Sequence, residues 1–79
     1  MARRVRNLSA AFGAVLREWR LDAGLSQEAL GYECDLHRTY VSMLERGVKS
    51  PTLDSITRLA AALGVKPHEL VKEAEDSGK

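Results

Sequence analysis

Two histidines, His37 and His68, and a single cysteine, Cys34, are the residues of this 79-residue chain with the most obvious reactive chemistry. They form no nucleophile–base–acid constellation. No carboxylate dyad and no glycine-rich phosphate loop accompanies them, so an enzyme is not expected. Cys34-x-x-His37 resembles half of a metal site. Zinc asks for about four protein ligands, and only His68 is left as a soft donor, so neither a metal nor a cofactor is expected. A different set carries more information. Arg38, Thr39 and Ser42 fall within one and a half helical turns and share one face. Arginine can bridge O6 and N7 of guanine, threonine can bond a base edge or touch a thymine methyl, and the neighbouring Met43 can reach a methyl too. These four are candidate base readers. Gln27, at a helix start rich in orphan N–H groups, is a candidate phosphate contact. Arg46 and Lys49, just beyond the reading stretch, are candidates as well. His37 can touch a phosphate, cap a helix or face solvent. Tyr40 can lie over the sugar–phosphate backbone or cover a helix pair.

Such residues need helices to hold them. Phe12, Leu16, Trp19 and Ala23 recur at helical spacing, which predicts a first helix over Ser9–Ala23. Ser9 is its expected cap, Gly24 its stop, and Trp19 part of its buried stripe. Ser26 caps a second helix ending near Glu33, with Glu28 suited to the positive end of the dipole. Cys34-Asp35-Leu36 is a turn in which Asp35 tolerates the left-handed conformation better than most residues. A third helix is expected over Arg38–Arg46, with Val41 and Leu44 inward and Gly47 at its end. Thr52 caps a fourth, striped by Leu53, Ile56, Leu59, Ala60 and Leu63. Gly64 stops it, and Pro67 opens a short fifth helix. With no strand alternation, the expectation is an all-α, compact five-helix bundle. Residues 1–8 read as a basic flexible arm, 9–73 as the folded domain, and 74–79 as an acidic, frayed tail.

The net charge of +1 is uninformative, but its distribution is not. Residues 1–25 carry five arginines against Glu18 and Asp22, a net of +3. Residues 67–79 carry Lys72 and Lys79 against Glu69, Glu73, Glu75 and Asp76, a net of −2. A polyanion would prefer one end. One cysteine allows no internal disulfide. Neither a signal peptide nor a membrane span is read, so a cytoplasmic location is expected.

Two short helices joined by a tight turn, with polar residues at the start of the second, form the helix-turn-helix pattern. The strings FGAVLREWRLDAGLSQEAL, YVSMLERG, SPTLDSITRLAAALGV and PHEL, within about residues 12–71, resemble the lambda-repressor-like, or Cro-like, helix-turn-helix family. LHRTYVSMLERG also resembles controller proteins of restriction–modification systems. The resemblance implies a transcriptional regulator that binds double-stranded DNA, on a palindromic operator, as a homodimer. It implies autoregulation as a controller-like version of that role. It further implies a structural ion pair between Arg20 and Glu45, which would remove Arg20 from the DNA contacts. Three positions depart from the family pattern. Asp35 stands where the turn usually has Gly, His37 where a Ser-type cap is usual, and Gly31 where Ala is common. Gly31 either costs about 1 kcal/mol of helix propensity or permits a close helix approach. Leu63, Val65 and Val71, beside a more buried Leu70, form the expected dimer surface. The competing reading is an antitoxin or adaptor of the same fold whose main ligand is a protein, supported by the acidic C-terminal stretch.

Overall fold

A computed structural model describes residues 8–77. These contain five helices and no strand: α1 Leu8–Asp22, α2 Gln27–Cys34, α3 Arg38–Glu45, α4 Leu53–Leu63 and α5 Pro67–Ser77. The basic arm lies outside the described residues, apart from Leu8.

One core serves all five helices. Phe12, Val15 and Leu16 from α1 meet Leu30 and Cys34 from α2, Val41 and Leu44 from α3, Ile56, Leu59 and Ala60 from α4, and Leu70 and Ala74 from α5. α1 packs against α3 and α5, α2 against α3 and α4, and α4 against α5. The α2–α3 pair is therefore clamped from both sides, by α1 on α3 and by α4 on α2. Cys34 is buried, and burial pushes its thiol above the ordinary range. Its Sγ donates to the carbonyl of Arg58, 3.5 Å away. It packs as a small hydrophobe.

The helix ends follow their caps. Ser26 Oγ accepts from the N–H of Ala29 and Thr52 Oγ1 from that of Ser55, each at 3.0 Å. Gly64 ends α4 at φ 75°, a backbone state that glycine adopts without penalty. α1 stops at Asp22, α2 runs through Cys34 and α3 stops at Glu45, each within a residue of the sequence reading, and two further differences change what a residue does. α1 begins at Leu8, so Ser9 sits inside its first turn rather than capping it; its hydroxyl meets that of Ser50 at 2.6 Å. α5 continues to Ser77, past the expected frayed tail. Ala74 is buried in the core and anchors that last turn, and Lys72 pairs with Asp76 one turn on. Trp19 is only half-buried; its indole N–H points to Glu73 of α5 at 3.4 Å.

Candidate nucleic-acid interface

The turn between α2 and α3 is built by three unusual choices acting together. Asp35 adopts φ 58° and ψ 42°, the left-handed state usually left to glycine. Among the described residues it alone does so without being glycine. Its N–H and that of Leu36 close back onto the carbonyls of Tyr32 and Gly31, at 3.3 and 2.8 Å. A Cβ on Gly31 would collide with the Leu36 carbonyl oxygen. Gly31 therefore allows the chain to fold back directly over α2, and its helix-propensity cost accompanies a close approach. His37 then caps α3, its Nδ1 accepting from the N–H of Thr39 at 3.0 Å. With Nδ1 as acceptor, the neutral ring carries its own N–H on Nε2.

α3 is two-faced. Val41 and Leu44 are fully buried, while Arg38 and Thr39 are exposed at its start. Ser42 and Met43 are half-buried, one turn further on. Arg46 ends the helix and, with Lys49 in the following loop, is exposed. Tyr40 is half-buried. Its hydroxyl lies 3.0 Å from Ser55 Oγ, which also accepts from Thr52 at 2.9 Å. That hydroxyl chain ties α3 to the cap of α4.

Beneath the exposed residues lies a charged lock. Arg20 Nε donates to Glu45 Oε2 at 2.6 Å and Nη2 to Oε1 at 3.0 Å, a bidentate pair with side chains 9% and 3% exposed. The third donor, Nη1, bonds the Leu25 carbonyl at 2.9 Å. Gln27 Nε2 donates to Glu45 Oε1 at 3.0 Å. The hydrogen bond to Glu45 raises the Arg20 pKa above its ordinary value, against the opposing effect of burial. Among the described residues no buried side-chain nitrogen or oxygen lacks a partner. Gly13 completes the junction: a Cβ there would fall on the carbonyl oxygens of Leu44 and Glu45, so α1 touches the end of α3 backbone to side-chain-free face.

The fold thus places Arg38 and Thr39 in the first turn of α3, Ser42 and Met43 one turn further on, and Arg46 and Lys49 at and beyond its far end. It commits polar groups of three other candidates elsewhere: Gln27 to Glu45, His37 Nδ1 to the cap, and Tyr40 to Ser55. Leu63, Val65 and Val71 are all half-buried at the rim of the core, near the α4–α5 corner and on α5. Val71 also lines a small apolar cleft with Leu8, Phe12, Pro51, Ile56 and Ala74. Sequence reasoning missed Gly13, although a glycine mid-helix is a recognisable signal of close packing. It also missed the Ser55 hydroxyl chain, which has no local signature. Among the described residues no three His, Cys, Asp or Glu side chains gather as a metal site, and no helix is long and apolar enough to cross a membrane.

Comparison with known proteins places this geometry. Residues 16–70 match the family model described as helix-turn-helix. The control protein C.BamHI of Bacillus amyloliquefaciens is 47% identical over 66 residues, covering 82% of each chain. The restriction–modification controller protein C.AhdI of Aeromonas hydrophila superposes with a TM-score of 0.75 at 46% identity, over 77% of this chain and 92% of that one. The clp gene regulator ClgR of Corynebacterium glutamicum superposes with a TM-score of 0.84 at 33% identity, over 89% and 74%.

Proposed function

This chain belongs to the helix-turn-helix family, whose members similar to it are control proteins and transcription regulators rather than enzymes, and on that premise we propose that it is a transcriptional regulator of the controller type, reading a palindromic operator as a homodimer. The observation that carries the reading is the disposition of α3. Its outer face offers Arg38 and Thr39 to solvent, and its inner face and far end are fixed by Val41, Leu44 and the Arg20–Glu45 lock. A helix presented in that way fits the major groove, with its first residues toward the base edges. In this reading Arg38, Thr39, Ser42 and Met43 read bases. Arg46 and Lys49 bind phosphates, and His37 Nε2–H is free of the capping bond and reaches a phosphate as well. The amide of Gln27 and the hydroxyl of Tyr40 already bond Glu45 and Ser55, which favours interior roles for them.

A single half-site engages one short helix. Two copies on half-sites roughly 34 Å apart, one helical turn, would double the contact. Leu63, Val65 and Val71 are the apolar residues offered for that pairing. The likeness to control proteins supports regulation of the protein's own gene.

Selection of binding sites from a random duplex pool at about 150 mM salt, where non-specific phosphate binding is weak, tests the reading. An enriched palindrome is expected. Absence of enrichment would sink it and favour the adaptor alternative. Sedimentation of the DNA-free protein tests the dimer: a monomer at high concentration would remove it, and Val71→Asp is expected to convert dimer to monomer.

A further inference from the structure

Gln27 stands at the first position of α2, where it invites assignment as a phosphate contact. The structure gives its side chain a different partner. Nε2 donates at 3.0 Å to Oε1 of Glu45, the same oxygen that receives Nη2 of Arg20. Glu45 is the last residue of α3 and its side chain is almost completely buried. Its two oxygens therefore accept from two helices: Arg20 of α1 on both, and Gln27 of α2 on one. Without Gln27, Glu45 would be tied to α1 alone, and the angle between α2 and α3 would rest on apolar contact and the short turn. Apolar contact is non-directional, whereas a charge-assisted hydrogen bond fixes distance and direction.

We propose that Gln27 is a positioning residue for base discrimination: it holds the buried carboxylate of Glu45 and so sets the pose of α3 against α2, rather than gripping a phosphate. This rests on the DNA-reading role proposed above for α3. The two roles predict different failures. A phosphate contact is blind to sequence, so its loss weakens every duplex alike. A positioning residue acts through the base readers. Its loss lowers preference for the selected site and leaves binding to random duplex intact.

The test compares the full chain with Gln27→Ala and Gln27→Glu on the selected operator and on random duplex. Gln27→Ala is expected to reduce the operator-to-random ratio by roughly 10-fold, the scale of one hydrogen bond to a charged group, with random-duplex affinity and helix content unchanged. Gln27→Glu sets a second carboxylate against Glu45, with Arg20 facing both and Glu28 adjacent. Two carboxylates sharing a site raise the pKa of one of them. Once protonated, the new carboxyl donates to Glu45 as the amide did. Its operator-to-random ratio, relative to the unmodified protein at each pH, is expected to recover as the pH falls, while that of Gln27→Ala stays flat. Referring each variant to the unmodified protein at the same pH removes effects common to all three proteins. Equal weakening of both duplexes by Gln27→Ala, or no recovery in Gln27→Glu, overturns the proposal. Should Gln27→Ala unfold, Gln27→Met keeps the length of the side chain and carries the same comparison. Proton exchange at Arg20 Nε, followed by NMR without DNA, separates failure of this proposal from failure of the DNA-reading role. If the unmodified protein selects no operator but Gln27→Ala speeds that exchange, the hold on Glu45 stands and the DNA role has failed. Unchanged exchange overturns the hold itself.

Discussion

Two regions of the bundle dispose of their side chains in opposite ways. Around α3 the outermost residues are polar and everything below them is fastened. A bidentate ion pair, a hydroxyl chain and two glycine contacts join α3 to α1, α2 and α4, and an imidazole caps its start. At the α4–α5 corner the half-covered residues are apolar, namely Leu63, Val65 and Val71, and the ion pair nearby, Lys72–Asp76, faces solvent. The difference is one of directionality. Residues that must meet hydrogen-bonding partners at fixed positions need a base held by directional bonds. An apolar rim that awaits a partner needs only area, because apolar attraction has no preferred angle. On the proposed function, specificity would reside in the first region and assembly in the second.

The sharpest way to break the contrast is at the ion pairs. Glu45→Ala leaves Arg20 buried without its carboxylate and is expected to cost about 3–5 kcal/mol, read as a lower urea midpoint at unchanged slope. Asp76→Ala, at the exposed pair, is expected to leave the midpoint where it was. Similar behaviour of the two variants would erase the distinction. The next effect is at Gly13. In an open helix, replacing Gly by Ala would stabilise by about 0.5–1 kcal/mol. Here the added methyl meets two carbonyl oxygens, and overpacking of about 1–3 kcal/mol is expected instead. A raised melting temperature for Gly13→Ala would show that α1 and α3 are not in close contact.

Effects on DNA should follow the same division. Arg38→Ala is expected to lose about 1–3 kcal/mol on the preferred operator and relax preference at one base pair, with stability unaltered. An unchanged site preference, measured by repeating the selection, would remove Arg38 from the readers. Smallest is Lys49→Ala, expected to weaken all duplexes alike and reduce the slope of log affinity against log salt by about one. A loss confined to one sequence would reassign Lys49 from phosphate to base.

Much of the fold is legible before any coordinates. Ser26 and Thr52 announce their helices as hydroxyl caps, and Gly64 followed by Pro67 marks one helix ending and the next beginning, because these effects act within four residues. Asp35 is recognisable as a residue that tolerates the left-handed state, and the turn uses it so. The ends of the chain are harder. The acidic composition of residues 73–76 points to fraying, yet α5 persists because Ala74 finds a place in the core, which composition does not show. The role of Gly31 could be posed as a choice between helix cost and close approach, but the choice needs the Leu36 carbonyl in place. The candidate site is partly legible for the same reason. Exposure of Arg38 and Thr39 follows from helical periodicity about Val41 and Leu44. The pairing of Arg20 with Glu45, 25 positions apart, came with the family likeness, since nothing in their spacing requires it.

Local and periodic features are legible in the sequence alone: five helices, the hydroxyl caps of α2 and α4, the glycine stop of α4, most of the inward stripes and the polar start of α3, although Leu53, expected in the stripe of α4, is exposed. These depend on backbone preferences and side-chain spacing over a turn or two. Only the tertiary structure decided which buried groups satisfy one another. Whether Gln27 spends its amide on Glu45, whether Tyr40 finds Ser55 and whether Gly13 lies against the end of α3 depend on how helices distant in sequence cross. That crossing is set by packing the whole core at once.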